Sequence, residues 1–371
     1  MKAIKSILVN IFTMGIILLI LLIVCEIFLR IFGSQDEFTT SSYPKEMTDT
    51  FNVTKMTPNY VGAFNVSEFS AEIKLNSIGI RDREPSAFKG KKRMLYLGDS
   101  FTFGHGVDVD SAYVRVSERI IQEELDSFIT INAGVPGTGP LDYFRNYKKI
   151  FITEMPELVT MNLFLGNDIH WTRVKNKEGK MDHFKDEVKK EINKFSWKTF
   201  LRENVHLYSF VVDRIKSIKP LRAMIKGLGF ANQVPGLYVL EVLNPDESEL
   251  YLKKWNKVFE YILKVKENSK DFRLIIVPTK EQVYEERIAL ICKQNDIDAS
   301  QYDVQYPIEK IYKFAEQNEI KCINLLDTLV QEKEQELFFD IDPHFNEKGH
   351  LISGEYIANK ILTDTTINWN Y

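Results

Sequence analysis

Arg93-Met94-Leu95-Tyr96-Leu97-Gly98-Asp99-Ser100-Phe101-Thr102-Phe103-Gly104 passes from an apolar run, through a glycine, into a polar pair and a second apolar pattern. Met94 to Leu97 are apolar without interruption, as in a strand covered on both faces; a strand with one wet face would alternate. Gly98 lets the backbone turn tightly, and Asp99 and Ser100 are residue types that favour entry into a helix. A serine at the C-terminal end of a strand, opening a helix, lies where doubly wound sheets keep their reactive groups. Gly-Asp-Ser alone also suits any turn or cap. No Gly-Lys-Ser or Gly-Lys-Thr follows, so the stretch is not a phosphate loop.

Four more short apolar runs lie downstream, at residues 128–132, 159–165, 272–277 and 320–325. Helix-like segments at 112–125, 141–151, 250–268, 308–317 and 347–362 alternate with them. This alternation is the pattern of a parallel α/β sheet wound on both faces.

The first 33 of the 371 residues have a different character: residues 6–25 hold no Asp, Glu, Lys or Arg. At ~1.5 Å per residue these 20 residues span a hydrocarbon core of ~30 Å. Lys2 and Lys5 precede the run, and Arg30 and then Asp36 and Glu37 follow it, which favours an N-terminus in the cytoplasm and a body outside. A cleaved signal peptide would end on small residues; this run ends Leu22-Ile23-Val24-Cys25-Glu26. Residues 1–33 are therefore expected to be a cytoplasmic tip and uncleaved signal anchor, 34–57 a polar stalk, and 58–371 one domain. Three cysteines rule out a disulfide scaffold; Cys292 and Cys322 read as two inert buried thiols, with a bridge between them the alternative that an oxidising compartment permits. The net charge of −4 disfavours a nucleic-acid partner.

Roughly a hundred residues separate the third and fourth apolar runs, too many for a simple crossover. A helical insertion is expected at about 172–250. Residues 173–226 hold 15 Lys or Arg against 7 Asp or Glu, a local balance of +8. Such a surface is either the solvated side of a packed cap or a face for anionic headgroups or an acidic glycan.

The remaining loops bring polar groups to the same sheet edge as Ser100. The second run ends in Asn132-Ala133-Gly134-Val135-Pro136-Gly137, the third in Leu165-Gly166-Asn167-Asp168, and Asp340-Ile341-Asp342-Pro343-His344 precedes the last helix. In this order the segments resemble the blocks of the SGNH (GDSL-like) hydrolase superfamily: Gly98-Asp99-Ser100, then Gly134, then Asn167-Asp168, then Asp342 with His344. The resemblance spans about residues 75–362. The stretch Asn76-Ser77-Ile78-Gly79-Ile80-Arg81-Asp82-Arg83-Glu84 is similar to the segment before block one in membrane-anchored bacterial members. Two departures stand out: Leu165 replaces the usual glycine of the third block, and Ile341 the usual aspartate of the last. Asp342 gives an Asp-x-His spacing similar to polysaccharide O-acetyl-esterases and acetyltransferases, with Asp340 the alternative acid.

The resemblance implies a flavodoxin-like doubly wound parallel sheet of about five strands with a helical insertion. It implies Ser100 as nucleophile, His344 as base and Asp342 as its orienting carboxylate. The amides of Ser100 and Gly134 and the side chain of Asn167 would form the oxyanion hole. Asp99, His105 and Asp168 are pocket candidates, and His350 is expected in a surface or capping role. This chemistry needs no cofactor or metal. The function expected is a membrane-anchored, extracytoplasmic serine esterase that cleaves or transfers a small acyl group on a surface carbohydrate. The alternatives are an idle fold that binds glycan, and a lipase or thioesterase at the membrane surface.

Overall fold

Each apolar run becomes a strand of one parallel sheet. The computed structural model describes residues 2–32, 47, 56–66, 68–175, 201, 204–218, 220 and 238–367. Strands β1 (Val61–Asn65) and β2 (Ser70–Lys74) form a two-stranded sheet of their own. Strands β3 (Lys92–Gly98), β4 (Phe128–Gly134), β5 (Leu158–Phe164), β6 (Phe272–Val277) and β7 (Lys321–Asn324) form the main sheet, in the order β4-β3-β5-β6-β7. All its pairings are parallel, and the register sets Gly98 opposite Gly134 and Phe164 opposite Val277. The chain lays β4 on one side of β3 and β5 on the other. This reversal opens a crevice beyond the carboxyl ends of β3 and β5, where such sheets bind ligands.

Helices α1 (Lys2–Phe32), α2 (Ser100–Phe103), α3 (Tyr113–Glu124), α4 (Pro140–Glu154), α5 (His206–Ser217) and α6 (Tyr238–Glu241) precede β6. Helices α7 (Glu249–Lys266), α8 (Lys280–Val283), α9 (Glu286–Gln294), α10 (Tyr306–Gln317), α11 (Leu325–Gln331) and α12 (Glu347–Leu362) complete the fold. Local chemistry sets several of their starts. Ser248 caps α7 through the Tyr251 amide, Thr279 and Gln282 form a capping box on α8, and Asn346 accepts from Lys348 and Gly349 at α12. Helix α12 packs on α3, and α7 on α4. Every residue of β4 and β6 is buried, Thr130, Asn132 and Arg273 included, which explains their near-continuous apolar pattern.

The chain divides into two compact units. One comprises residues 1–43, 65–69 and 185–232, the other 44–64, 70–184 and 233–371. The first takes much of the insertion expected at 172–250 and groups it with the N-terminal helix. Glu26 on α1 accepts hydrogen bonds from the His206 and Leu207 amides at the start of α5, and Arg30 donates to the Asn204 carbonyl. Helix α1 carries Val9–Phe32, long and apolar enough to cross a membrane, with none of it buried. Most of the expected stalk at 34–57, and insertion residues 176–200, lie outside the described residues.

In the larger unit, the segment before β3 is tied down by buried charge. Asp82 accepts from the Asn132 amide (2.6 Å) and pairs with Arg115; Glu118 accepts from the Thr130 amide (2.6 Å) and from both terminal nitrogens of Arg83. Removing one partner leaves an uncompensated buried charge. Asp82→Ala is therefore expected to lower the unfolding free energy by about 3–5 kcal/mol in urea denaturation; a loss below about 1 kcal/mol would show the network to be dispensable.

Candidate active site

Strand β3 ends at Gly98, and Asp99 caps the short helix α2 by accepting from the Phe101 amide (3.0 Å). The chain turns from strand to helix at Gly98 without a left-handed conformation. A Cβ there would lie 1.9 Å from Thr102 Oγ1, so close approach of α2 to the strand demands the glycine. Thr102 Oγ1 bonds Tyr113 Oη (2.7 Å) and Asn162 Nδ2 (3.1 Å), and Asn162 also donates to the Leu97 carbonyl (2.9 Å). These contacts fix α2 over the sheet edge, with Ser100 as its first residue.

Ser100 Oγ lies 2.7 Å from His344 Nε2, and His344 Nδ1 lies 2.5 Å from Asp342 Oδ1. The same oxygen accepts from the His344 amide (2.9 Å). The Asp-x-His spacing thus folds back on itself, one carboxylate oxygen meeting both the backbone and the ring two residues on. Asp342, rather than Asp340, is the carboxylate at the imidazole. The Asp340 carbonyl instead accepts from Lys280 Nζ (3.1 Å), as does that of Phe339 (2.5 Å). Burial alone would raise the Asp342 carboxyl, but the charge and N–H groups of His344 and His105 hold it well below the ordinary carboxylate range. The His344 ring lies against Phe101, their centroids 4.8 Å apart.

The expected oxyanion donors are arranged unequally. The Ser100 amide belongs to the first turn of α2, whose N–H groups have no intrahelical acceptor. Asn167 is buried, and one hydrogen of its Nδ2 goes to Asp99 Oδ2 (3.2 Å); the amide carries a second. The Gly134 amide donates to Asn132 Oδ1 (3.0 Å). Its lack of a side chain has a separate cause: a Cβ would lie 2.3 Å from the Phe103 amide nitrogen.

Asp99 and Asp168 form a second, differently tuned pair. Asp168 accepts from Tyr143 Oη (2.8 Å) and the Phe164 amide (2.8 Å). Burial first, then the nearby Asp99 carboxylate, push it well above the ordinary range, and burial raises Asp99 as well. Both organise the loops behind Ser100 and Asn167. His105 is buried against the His344 ring, centroids 3.9 Å apart. His350 is a correction: it is fully buried under Tyr113 and Phe345, and its Nδ1 accepts from the Tyr113 amide (3.3 Å). The polar residues around it in sequence hide that burial. His170 is also buried, its Nδ1 2.7 Å from Glu241 Oε2.

Among the described residues, one cluster has metal-ligand character: His105, Asp342 and His344, with ligand atoms within 4.8 Å of one another. Both oxygens of Asp342 are already engaged by the two imidazoles, so hydrogen bonding accounts for the cluster. Arg81 and Lys280 support the site without having been singled out in the sequence. Arg81 is buried and donates to the carbonyls of Phe103, Gly104 and Val107. Arg81 precedes Asp82-Arg83-Glu84 and Lys280 lies between Thr279 and Glu281, so the local sequence of neither signals its role.

No protein-family model and no curated protein matches the sequence. Among solved structures, the chain is similar to a member of the lipolytic protein G-D-S-L family from Veillonella parvula, with 14% identity over 73% of this chain and 99% of that one, TM-score 0.37. It is similar to a lipase/acylhydrolase from Enterococcus faecalis at 14% identity, covering 73% and 95%, TM-score 0.37. An acetyl xylan esterase from Geobacillus stearothermophilus gives 15% identity, 73% and 94% coverage and a TM-score of 0.39. Likeness at this level says nothing about substrate.

The buried histidines set a pH dependence. Burial first, and neighbouring His344, hold His105 at about 4; burial holds His350 at about 3. With both pKa values below the unfolded value of ~6.5, the unfolded chain binds more protons. Stability is then full above pH 6.5 and falls as pH drops toward 4. Unfolding free energy is expected to fall by about 2 kcal/mol per histidine between pH 7 and pH 5. His350→Gln keeps an acceptor for the Tyr113 amide and should remove about half of this slope. An unchanged slope would place the titration elsewhere.

Proposed function

We propose that this chain is a serine esterase of the SGNH type, held at a membrane by α1 with its active site on the extracytoplasmic side. One observation carries the reading: an unbroken relay from Ser100 Oγ through His344 to Asp342, with contacts of 2.7 and 2.5 Å. A buried serine with a half-buried imidazole and carboxylate in this order is what nucleophilic acyl transfer requires. Ser100 attacks the ester carbonyl while His344 Nε2 takes its proton, then returns it to the leaving alcohol. Asp342, held ionised, fixes the Nδ1–H tautomer and stabilises the imidazolium. The Ser100 amide and Asn167 Nδ2 meet the developing oxyanion, and Gly134 joins only by releasing Asn132 Oδ1. Water then releases the acyl group, or a sugar hydroxyl accepts it.

A small acyl ester on a surface carbohydrate is the substrate class we favour. Its support is the Asp-x-His spacing, similar to polysaccharide O-acetyl-esterases and acetyltransferases, and an N-terminal helix suited to work at the envelope. The two lysines before that helix support a cytoplasmic N-terminus.

The test is turnover of p-nitrophenyl acetate and labelling by a fluorophosphonate probe. Ser100→Ala should abolish labelling and lower kcat/KM by at least ~10³-fold, as should His344→Ala. Asp342→Asn should cost about 10³–10⁴-fold in kcat and Asp340→Asn less than about threefold. Equal labelling of wild type and Ser100→Ala would overturn the nucleophile.

A further inference from the structure

Asp342 has two carboxylate oxygens, and the relay uses one. Oδ1 serves His344; Oδ2 faces His105 Nε2 at 3.3 Å. A carboxylate bound through one oxygen can swing about its Cβ–Cγ bond and lose its alignment with the imidazole. A donor on the second oxygen fixes the plane of the group.

The loop that presents His105 is built for the purpose. Gly104 and Gly106, at φ of 82° and 80°, hold left-handed conformations on either side of it. The Arg81 guanidinium donates to the carbonyls of Phe103 (3.3 Å), Gly104 (2.7 Å) and Val107 (2.9 Å), and lies over the Phe103 ring. The His105 ring stacks on His344 at 27° and meets Phe64 edge-on at 5.2 Å. Its side chain is 4% exposed, against 17% for Asp342 and His344, so water competes little for the contact.

We propose that His105 is a positioning residue for the relay, clamping Asp342 from the oxygen opposite His344. The proposal rests on the esterase reading above. Among the described residues, the titratable and charged groups facing His105 include Asp342 and His344 from the segment before α12, His350 from α12, and Arg81 from the segment before β3. Burial and the neighbouring His344 keep the His105 ring neutral above about pH 4. It therefore donates Nε2–H to Asp342 without setting a second cation beside the imidazolium that forms during acyl transfer. A charged Lys or Arg in its place would supply the hydrogen bond and oppose the proton transfer.

The experiment compares His105→Phe, which keeps a stacking ring without a donor, with His105→Gln, which restores a neutral N–H. Both are made in the full chain in detergent, alongside Ser100→Ala. Two quantities are read: kcat and KM across pH with p-nitrophenyl acetate, and the far-downfield proton resonance of His344 Nδ1–H. His105→Phe is expected to lower kcat by about tenfold or more with KM within about twofold. It should also move the acid limb of the kcat profile to higher pH, because charge withdrawn by the donor returns to Oδ1. The downfield resonance should shift or broaden, and His105→Gln should recover most of both effects. Wild-type kcat and an unmoved resonance in His105→Phe would overturn the proposal. So would equal impairment of the Gln and Phe variants, which would mark His105 as packing alone. If Ser100→Ala leaves turnover intact, the esterase reading fails instead, while the resonance still decides whether His105 clamps Asp342.

Discussion

The hydrogen bond between Ser100 Oγ and His344 Nε2 joins residues 244 positions apart, and the architecture between them makes that meeting possible. Ser100 needs β3 to end inside the sheet, between β4 and β5, and α2 to start there at once. His344 needs the segment before α12 to come back over the same edge. Both conditions follow from one parallel sheet whose order reverses at β3, because only then do the first and last parts of the domain share a crevice. Arg81 and Lys280 hold the two approaches by donating to backbone carbonyls, which locks loops rather than side chains.

Burial raises the carboxylates around Ser100 alike, and their partners drive them in opposite directions. Asp342 has two imidazole partners and stays ionised despite burial. Asp168 has a tyrosine hydroxyl, a backbone amide and another carboxylate nearby, and burial wins. Environments that push two carboxyls apart separate their roles. Asp342 can stabilise an imidazolium, while Asp168 and Asp99 hold loops.

The five strands were legible because burial on both faces leaves near-continuous apolar runs, and their parallel pairing was expected from helix and strand alternation. Ser100, Asn167, Asp342 and His344 were legible as a set because each follows a strand or precedes the last helix. What escaped depends on contacts, some local and some distant in sequence, that residue type alone does not reveal. Gly98 looked like a turn glycine, yet Thr102 fills its side-chain space. Gly134 looked like an oxyanion donor, yet Asn132, two residues before it, takes its amide. His350 sits among polar helical residues and is nonetheless sealed beneath Tyr113. Arg81 reads as an ordinary charge until three carbonyls of one loop turn out to converge on it. The division of the insertion was illegible because Glu26 and Arg30 reach α5 across about 180 positions of sequence.

The central claim is that Ser100 becomes acylated through the relay to His344 and Asp342. Mass spectrometry of the full chain, quenched in acid after brief mixing with p-nitrophenyl acetate, measures this directly. One acetyl group is expected on the peptide containing Ser100, accumulating in wild type and absent from His344→Ala. An acetyl group on a different residue, or undiminished acylation in His344→Ala, would contradict it.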